Sequence, residues 1–147
     1  MTYENVKFGK DCRDKIIEGV NLAADAVACT FGPNGKNAIV RNDGGLLITK
    51  DGYHTAMCVN DPDPYISMGI DIIQSICKKT ACDVGDGTST SAILAAKLIN
   101  AFKDYFLNVF SILTDSNLSF FDKVKGIFNA FIELIGNVAK LVIDRFK

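Results

Sequence analysis

Val84-Gly85-Asp86-Gly87-Thr88-Ser89-Thr90-Ser91, followed at once by Ala92-Ile93-Leu94-Ala95-Ala96-Lys97-Leu98, sets a glycine-bearing loop against a strong helix former. Alanine and leucine lead the helix propensity scale, and the hydroxyl residues mark the start of the helix. A helix N-terminus leaves backbone N–H groups unpaired and carries a partial positive charge, so the stretch is suited to hold an anion, with phosphate the natural candidate. Glycines on both sides of Asp86 let the backbone approach a ligand closely, and the hydroxyls of Thr88, Ser89 and Thr90 add donors. Asp86 itself would repel a phosphate. A divalent cation bridging carboxylate and phosphate removes that conflict, and Mg²⁺, which prefers oxygen ligands and retains waters, is the usual solution. The same residues also read as an ordinary capped helix after an Asp-Gly turn, and the loop alone leaves both readings open.

Upstream, Ile16, Val20, Ala23 and Val27 recur at helical spacing and predict a helix over residues 11–29, with Asp11 placed to cap its start. That helix runs into Thr30-Phe31-Gly32-Pro33-Asn34-Gly35, where Gly32 can close it, Pro33 cannot continue it and Asn34-Gly35 supplies a turn. Asn37-Ala38-Ile39-Val40-Arg41 and Leu46-Leu47-Ile48-Thr49, joined by Asn42-Asp43-Gly44-Gly45, read as a β-hairpin. Lys50-Asp51-Gly52 follows as a turn. It reads as solvated, although a lysine beside an aspartate also suits phosphate charge and the positioning of water. Asp61-Pro62-Asp63-Pro64 then breaks structure before Ile66, Ile70, Ile73 and Ile76 define another helix.

The composition changes near residue 100. Ten of the twelve glycines, all three prolines and all five cysteines precede it, while eight of the ten phenylalanines follow it. Beyond it, Phe102, Phe106, Val109 and Leu113 predict one amphipathic helix. After a polar break at Thr114-Asp115-Ser116-Asn117, Val124, Phe128, Phe131, Ile135, Val138 and Val142 predict a second. Six Lys and Arg against five Asp and Glu in 101–147 give no basic polar face for anionic lipid, so packing against protein is favoured.

At 147 residues, with 48% hydrophobic residues, the chain is of a size to bury a core without disulfides or a structural metal. A formal net charge of −1 excludes a generally basic footprint for nucleic acid. No run approaches the 18–20 or so apolar residues of a membrane span. Cys12, Cys29, Cys58, Cys77 and Cys82 form an odd set with no zinc-type spacing, and His54 is the single histidine; free thiols in a reducing cytoplasm fit best.

Taken in order, Asn5-Val6-Lys7-Phe8-Gly9, Gly19-Val20-Asn21-x-x-Ala24-Asp25-Ala26-Val27, Thr30-Phe31-Gly32-Pro33-x-Gly35-x-Asn37, Ile48-Thr49-Lys50-Asp51-Gly52, Met68-Gly69 and Gly85-Asp86-Gly87-Thr88 resemble the start of bacterial-type (group I) chaperonins. The resemblance runs over about residues 5–100; beyond it only Asp122-Lys123-Val124-Lys125-Gly126-Ile127 is similar to the family, displaced by several inserted residues. It implies a mainly α fold with a small β-hairpin or sheet, like a truncated chaperonin equatorial domain. The machine to which such a domain belongs forms rings, binds ATP and encloses unfolded polypeptides.

By position, the resemblance implies that Thr30, Phe31, Gly32, Pro33 and Lys50 line ATP or ADP and that Asp86, Gly87, Thr88, Ser89 and Thr90 hold its phosphates. It implies Mg²⁺ on Asp86, an attacking water oriented by Asp51, and a K⁺ site near the backbone oxygens of Thr30 and Lys50 and the hydroxyl of Ser89. Ser89 stands where the family commonly has threonine. The family chain is several times longer, and the parts that complete its nucleotide pocket and grip unfolded proteins have no counterpart in these residues.

The expectations are therefore a chaperonin-like nucleotide-binding segment over 1–100 and Phe-rich helices over 101–147 that pack on it or extend it. The chain would act in protein folding as a truncated or split subunit beside other subunits, or stand alone as a chaperonin-derived interaction module or scaffold without ATPase activity. Partners would be further copies or chaperonin subunits, met through the hairpin at about 37–49, and unfolded polypeptide through the assembly. Nucleic acid and membrane are not expected.

Overall fold

The structure, a computed structural model, describes residues 9–42, 45–115 and 117–143. Among the described residues, five helices and a two-stranded sheet follow in the order α1 (Gly9–Thr30), β1 (Ala38–Asn42), β2 (Gly45–Thr49), α2 (Gly52–Met57), α3 (Pro64–Asp83), α4 (Thr88–Thr114) and α5 (Phe120–Ile143). The fold is mainly α with a small antiparallel sheet, as the sequence predicts. The chain divides into two compact units, residues 1–96 and 97–147.

The first unit is built on α1 and α3. Ile17, Val20, Ala23, Ala24 and Val27 form the buried face of α1, and Ile70, Ile73 and Cys77 that of α3, with Val20, Val27, Ile70, Ile73 and Cys77 wholly enclosed. Two glycines permit the contact. A Cβ added at Gly19 would overlap the carbonyl oxygen of Ile66, and one at Gly69 would overlap that of Ile16, so the two helix backbones touch where they cross. Asp63 caps α3 by accepting from the Tyr65 N–H (2.9 Å), Pro64 occupies the first turn, and Lys15 of α1 pairs with Asp63. Gln74 of α3 donates to the carbonyls of Ala56 (3.0 Å) and Val59 (2.9 Å), which holds the end of α2 against it.

In the hairpin, Ile39 pairs with Ile48 and Val40 with Leu47, and the outermost pair is Asn42 with Gly45, one pair beyond the predicted strands. Val40 is buried while Ile39, Leu46 and Ile48 face solvent. The expected strand around Val6-Lys7-Phe8 and the turn residues Asp43 and Gly44 lie outside the described residues.

Three local expectations are corrected. Helix α1 already includes Gly9, so Asp11 sits inside its first turn, where its charge meets the positive helix end, instead of capping it. Helix α4 begins at Thr88 with Gly87 in the preceding position, so the hydroxyls of Thr88, Ser89 and Thr90 lie within the first turn and not at the cap. The stretches 92–98 and 101–113 are one continuous 27-residue helix, because no glycine or proline interrupts residues 99–101.

In the second unit the later turns of α4 run antiparallel to α5. Lys123 Nζ donates to the Leu113 carbonyl (3.2 Å), Gly126 faces the Ile112 side chain, and the rings of Tyr105 and Phe131 meet edge to face at 6.3 Å. Ala130 and Leu134 are buried on the seam, beside a groove of about 80 Å³ bordered by Asp104, Tyr105, Asn108 and Glu133.

Candidate functional site

Four helix ends converge in the first unit. Helix α1 closes as Lys36 N–H reaches back to the Cys29 carbonyl (2.8 Å) and Gly35 N–H to that of Gly32 (3.0 Å), with Gly32 at φ +83°. Gly35 must be bare, since a Cβ there would overlap the Thr30 carbonyl oxygen. Thr30 is buried and its hydroxyl donates to the Val27 carbonyl (2.8 Å), whereas Phe31, Gly32 and Pro33 are exposed beyond it.

Asp51 caps α2. Its Oδ1 accepts the Tyr53 N–H (3.2 Å), its Oδ2 accepts the His54 N–H (3.2 Å) and lies against His54 Nδ1, and its own N–H donates to Thr49 Oγ1 (2.9 Å). Partial burial pushes the Asp51 carboxyl up, but the bonds to His54 and Tyr53 outweigh it and hold the group below its ordinary value of 3.8. Burial, and then the Asp51 charge, push the Cys77 thiol up. Lys50 is exposed at the cap's edge.

Helix α3 ends where the N–H groups of Val84 (3.0 Å) and Gly85 (3.2 Å) both donate to the Thr80 carbonyl, with Gly85 at φ +81°. Gly87 takes the same φ, and its carbonyl accepts the Ser91 N–H (2.9 Å) to open α4. Asp86, exposed between the two glycines, accepts from Gly87 N–H (2.6 Å). The Thr80 and Ser91 hydroxyls bond to each other (3.1 Å) and latch α4 onto α3. Among the described residues no acceptor meets the N–H groups of Thr88, Ser89 and Thr90, so the positive end of α4 is uncapped.

One glycine joins these pieces. A Cβ at Gly52 would overlap Ser89 Oγ and stand 3.0 Å from Ser89 Cβ and 3.1 Å from Val27 Cγ1. The Asp51 cap, the first turn of α4 and the last turns of α1 are thus in direct contact. By contrast, a Cβ at Gly32, Gly85 or Gly87 would meet nothing within 4 Å, so the loops in front of this junction are open.

The donor set suits a phosphate: open N–H groups, hydroxyls and two glycines in the left-handed conformation. Among the described residues no group of three or more His, Cys, Asp or Glu side chains gathers to hold a metal. Asp86, a single exposed carboxylate, suits a Mg²⁺ ion that takes its other oxygens from phosphate and water. Two participants escaped the sequence reading, the Thr80–Ser91 latch and His54 on Asp51. The i,i+3 spacing of the single histidine from Asp51 was the available signal for the second.

The sequence model of the TCP-1/cpn60 chaperonin family matches residues 23–111, more than half of the chain. Among solved structures, the chain is similar to the chaperonin gp146 from the bacteriophage EL 2 (Pseudomonas aeruginosa) in the presence of ATP-BeFx. Crystal form II is 32% identical, with a TM-score of 0.62 over 71% of this chain and 19% of that one. Crystal form I is 30% identical, with a TM-score of 0.61 over 71% and 20%. The chain spans about a fifth of the length of gp146. Among the described residues no helix is long and apolar enough to cross a membrane.

Proposed function

The chain belongs to the TCP-1/cpn60 chaperonin family, and from that premise we propose that it binds Mg²⁺-ATP or Mg²⁺-ADP in the cytoplasm and acts in protein folding beside other chaperonin subunits. The observation that carries this reading is the junction at Gly52, where the ends of α1, α2 and α4 touch beneath an uncapped helix N-terminus. In this reading the N–H groups and hydroxyls of Thr88, Ser89 and Thr90 bind the phosphates, with Gly87 allowing close approach. Thr30, Phe31, Gly32, Pro33 and Lys50 flank the nucleotide. Asp86 holds Mg²⁺, which neutralises phosphate charge when bound, and K⁺ sits by Thr30, Lys50 and Ser89. That gp146 was crystallised in the presence of ATP-BeFx supports the choice of ligand.

Turnover by this chain alone is expected to be negligible. Both oxygens of Asp51 are engaged in the α2 cap, which leaves little of the carboxylate to orient water, and phosphoryl transfer depends almost wholly on positioning and charge stabilisation. The outward apolar side chains of the hairpin, Ile39, Leu46 and Ile48, suit it to a neighbouring copy or chaperonin subunit. Unfolded polypeptide would be met through such an assembly.

Calorimetry with ATP and ADP, with and without Mg²⁺, tests the reading. Heat of binding that depends on Mg²⁺ and loses that dependence in Asp86→Ala is the expected result. No heat at millimolar nucleotide, with Asp86→Ala unchanged, would reduce the α4 terminus to a structural helix start.

A further inference from the structure

In the second unit, Ala101, Tyr105 and Asn108 of α4 and Ala130, Leu134 and Asn137 of α5 line the groove that marks the seam between the two helices. At 3.6 residues per turn, Phe102, Phe106, Phe110 and Leu113 share an arc of about 80° on α4, turned away from that seam. Phe120, Val124, Phe128, Phe131 and Ile135 share an equal arc of about 80° on α5. In both helices the arc follows the seam residues in the same rotational sense. Because the helices are antiparallel, that sense brings both stripes to one side of the pair. The result is a two-helix face of apolar side chains with no charged residue within either stripe.

The face is open to water. Its six phenylalanines are 46 to 74% exposed, and Leu113, Val124 and Ile135 are about half exposed. With about 200 Å² per aromatic side chain and somewhat less per aliphatic one, roughly 900 Å² of apolar surface is uncovered. The largest patch on an ordinary monomer is about 300–600 Å².

We propose that this face is a self-complementary interface, through which two copies of the chain pair their α4–α5 hairpins as a four-helix bundle. Covering about two thirds of the face on each copy removes about 1,200 Å² from water in total, which reaches the range of specific, stable interfaces. A two-fold axis sets the same patch against itself, and rows of large apolar residues at i, i+4 and i+7 are the packing units of such bundles. The near balance of six basic and five acidic residues in 101–147 lets two copies approach without repulsion. It also denies the face the cationic rim that a lipid surface would select.

Sedimentation velocity on the full chain, from about 1 to 100 µM, tests this against the hairpin and against lipid. A dimer with a dissociation constant of about 10 µM or tighter is expected. The pair Phe106→Asp and Phe128→Asp should weaken it about 100-fold or more, while Ile39→Lys with Ile48→Lys leaves it intact. Circular dichroism verifies that the variants keep their helices, and Phe102→Ser with Phe128→Ser repeats the measurement if the charged pair does not fold. A wild type that stays monomeric at 100 µM overturns the proposal. So does association that survives the Phe substitutions and vanishes with the Ile ones, or flotation with phosphatidylcholine vesicles in place of dimerisation.

Discussion

Gly52→Ala probes the junction on which the functional reading rests. The added methyl would overlap Ser89 Oγ and lie 3.0 Å from Ser89 Cβ and 3.1 Å from Val27 Cγ1. Rotating the serine hydroxyl relieves the overlap, but carbon atoms pack at about 3.5–4.0 Å, so α1 or α4 must also yield by about half an ångström. Overpacking of this kind costs about 1–3 kcal/mol. Alanine is the better helix former by up to about 1 kcal/mol, so propensity alone would make the change stabilising, and the sign of the result is informative. We expect a net loss of about 1–2 kcal/mol. Ser89→Gly removes both serine atoms in the way, and the double variant should recover about 1 kcal/mol as a coupling term. Urea unfolding of all four proteins by circular dichroism measures these differences, and hydrogen exchange over residues 51–57 and 88–96 locates them in the first unit. A Gly52→Ala protein as stable as the parent, or a double variant whose effects simply add, would refute the contact between α2 and α4.

At the α1–α3 crossing, Gly19→Ala meets backbone and not a movable side chain, so it should destabilise by about 2 kcal/mol or more. Gly136→Ala, with nothing within 4 Å of the added carbon, should instead stabilise by up to about 1 kcal/mol; thermal unfolding compares the two. Because Asp51 titrates below its ordinary value of 3.8 in the folded chain, its contribution is complete above that value and is lost as the pH falls through the lower folded value. Urea midpoints between pH 6 and pH 3 should therefore drop less in Asp51→Ala than in the parent, while at pH 6 the variant should be weaker by about 1 kcal/mol from the lost cap. Alkylation followed by mass spectrometry should modify exposed Cys29 and Cys82 first and enclosed Cys77 last, since burial keeps Cys77 protonated as well as covered; early labelling of Cys77 would mean that α3 does not pack as described.

The helices were legible wherever apolar spacing and breakers agreed. Val20, Ala23 and Val27 on α1 and Ile70 and Ile73 on α3 sit in the core on the predicted faces. The hairpin register followed from the four residues between its strands, and the ladder runs on by one pair, to Asn42 and Gly45. Boundaries were harder to read. Hydroxyl residues at 88–91 look like caps, but the positive φ of Gly87 lets the chain enter α4 one residue earlier and leaves the first N–H groups without a side-chain acceptor.

The site shows why local pattern runs out. Lys50-Asp51-Gly52 and Gly85-Asp86-Gly87 each look like turns in isolation, and periodicity says nothing of their being neighbours. What brings them together is the absence of three side chains: at Gly19 and Gly69, which lets α1 and α3 meet at backbone distance, and at Gly52, which lets α2 meet α4. A missing atom has no propensity of its own. Only the ordered set of motifs carried that information in the sequence, because a family resemblance preserves spatial neighbours that spacing along one chain cannot express. The same limit governs the Phe-rich helices. Their period shows that each has an apolar side, yet only the antiparallel pairing of Ile112 with Gly126 and of Tyr105 with Phe131 places those sides together and turns two ordinary amphipathic helices into one broad surface that water does not suit.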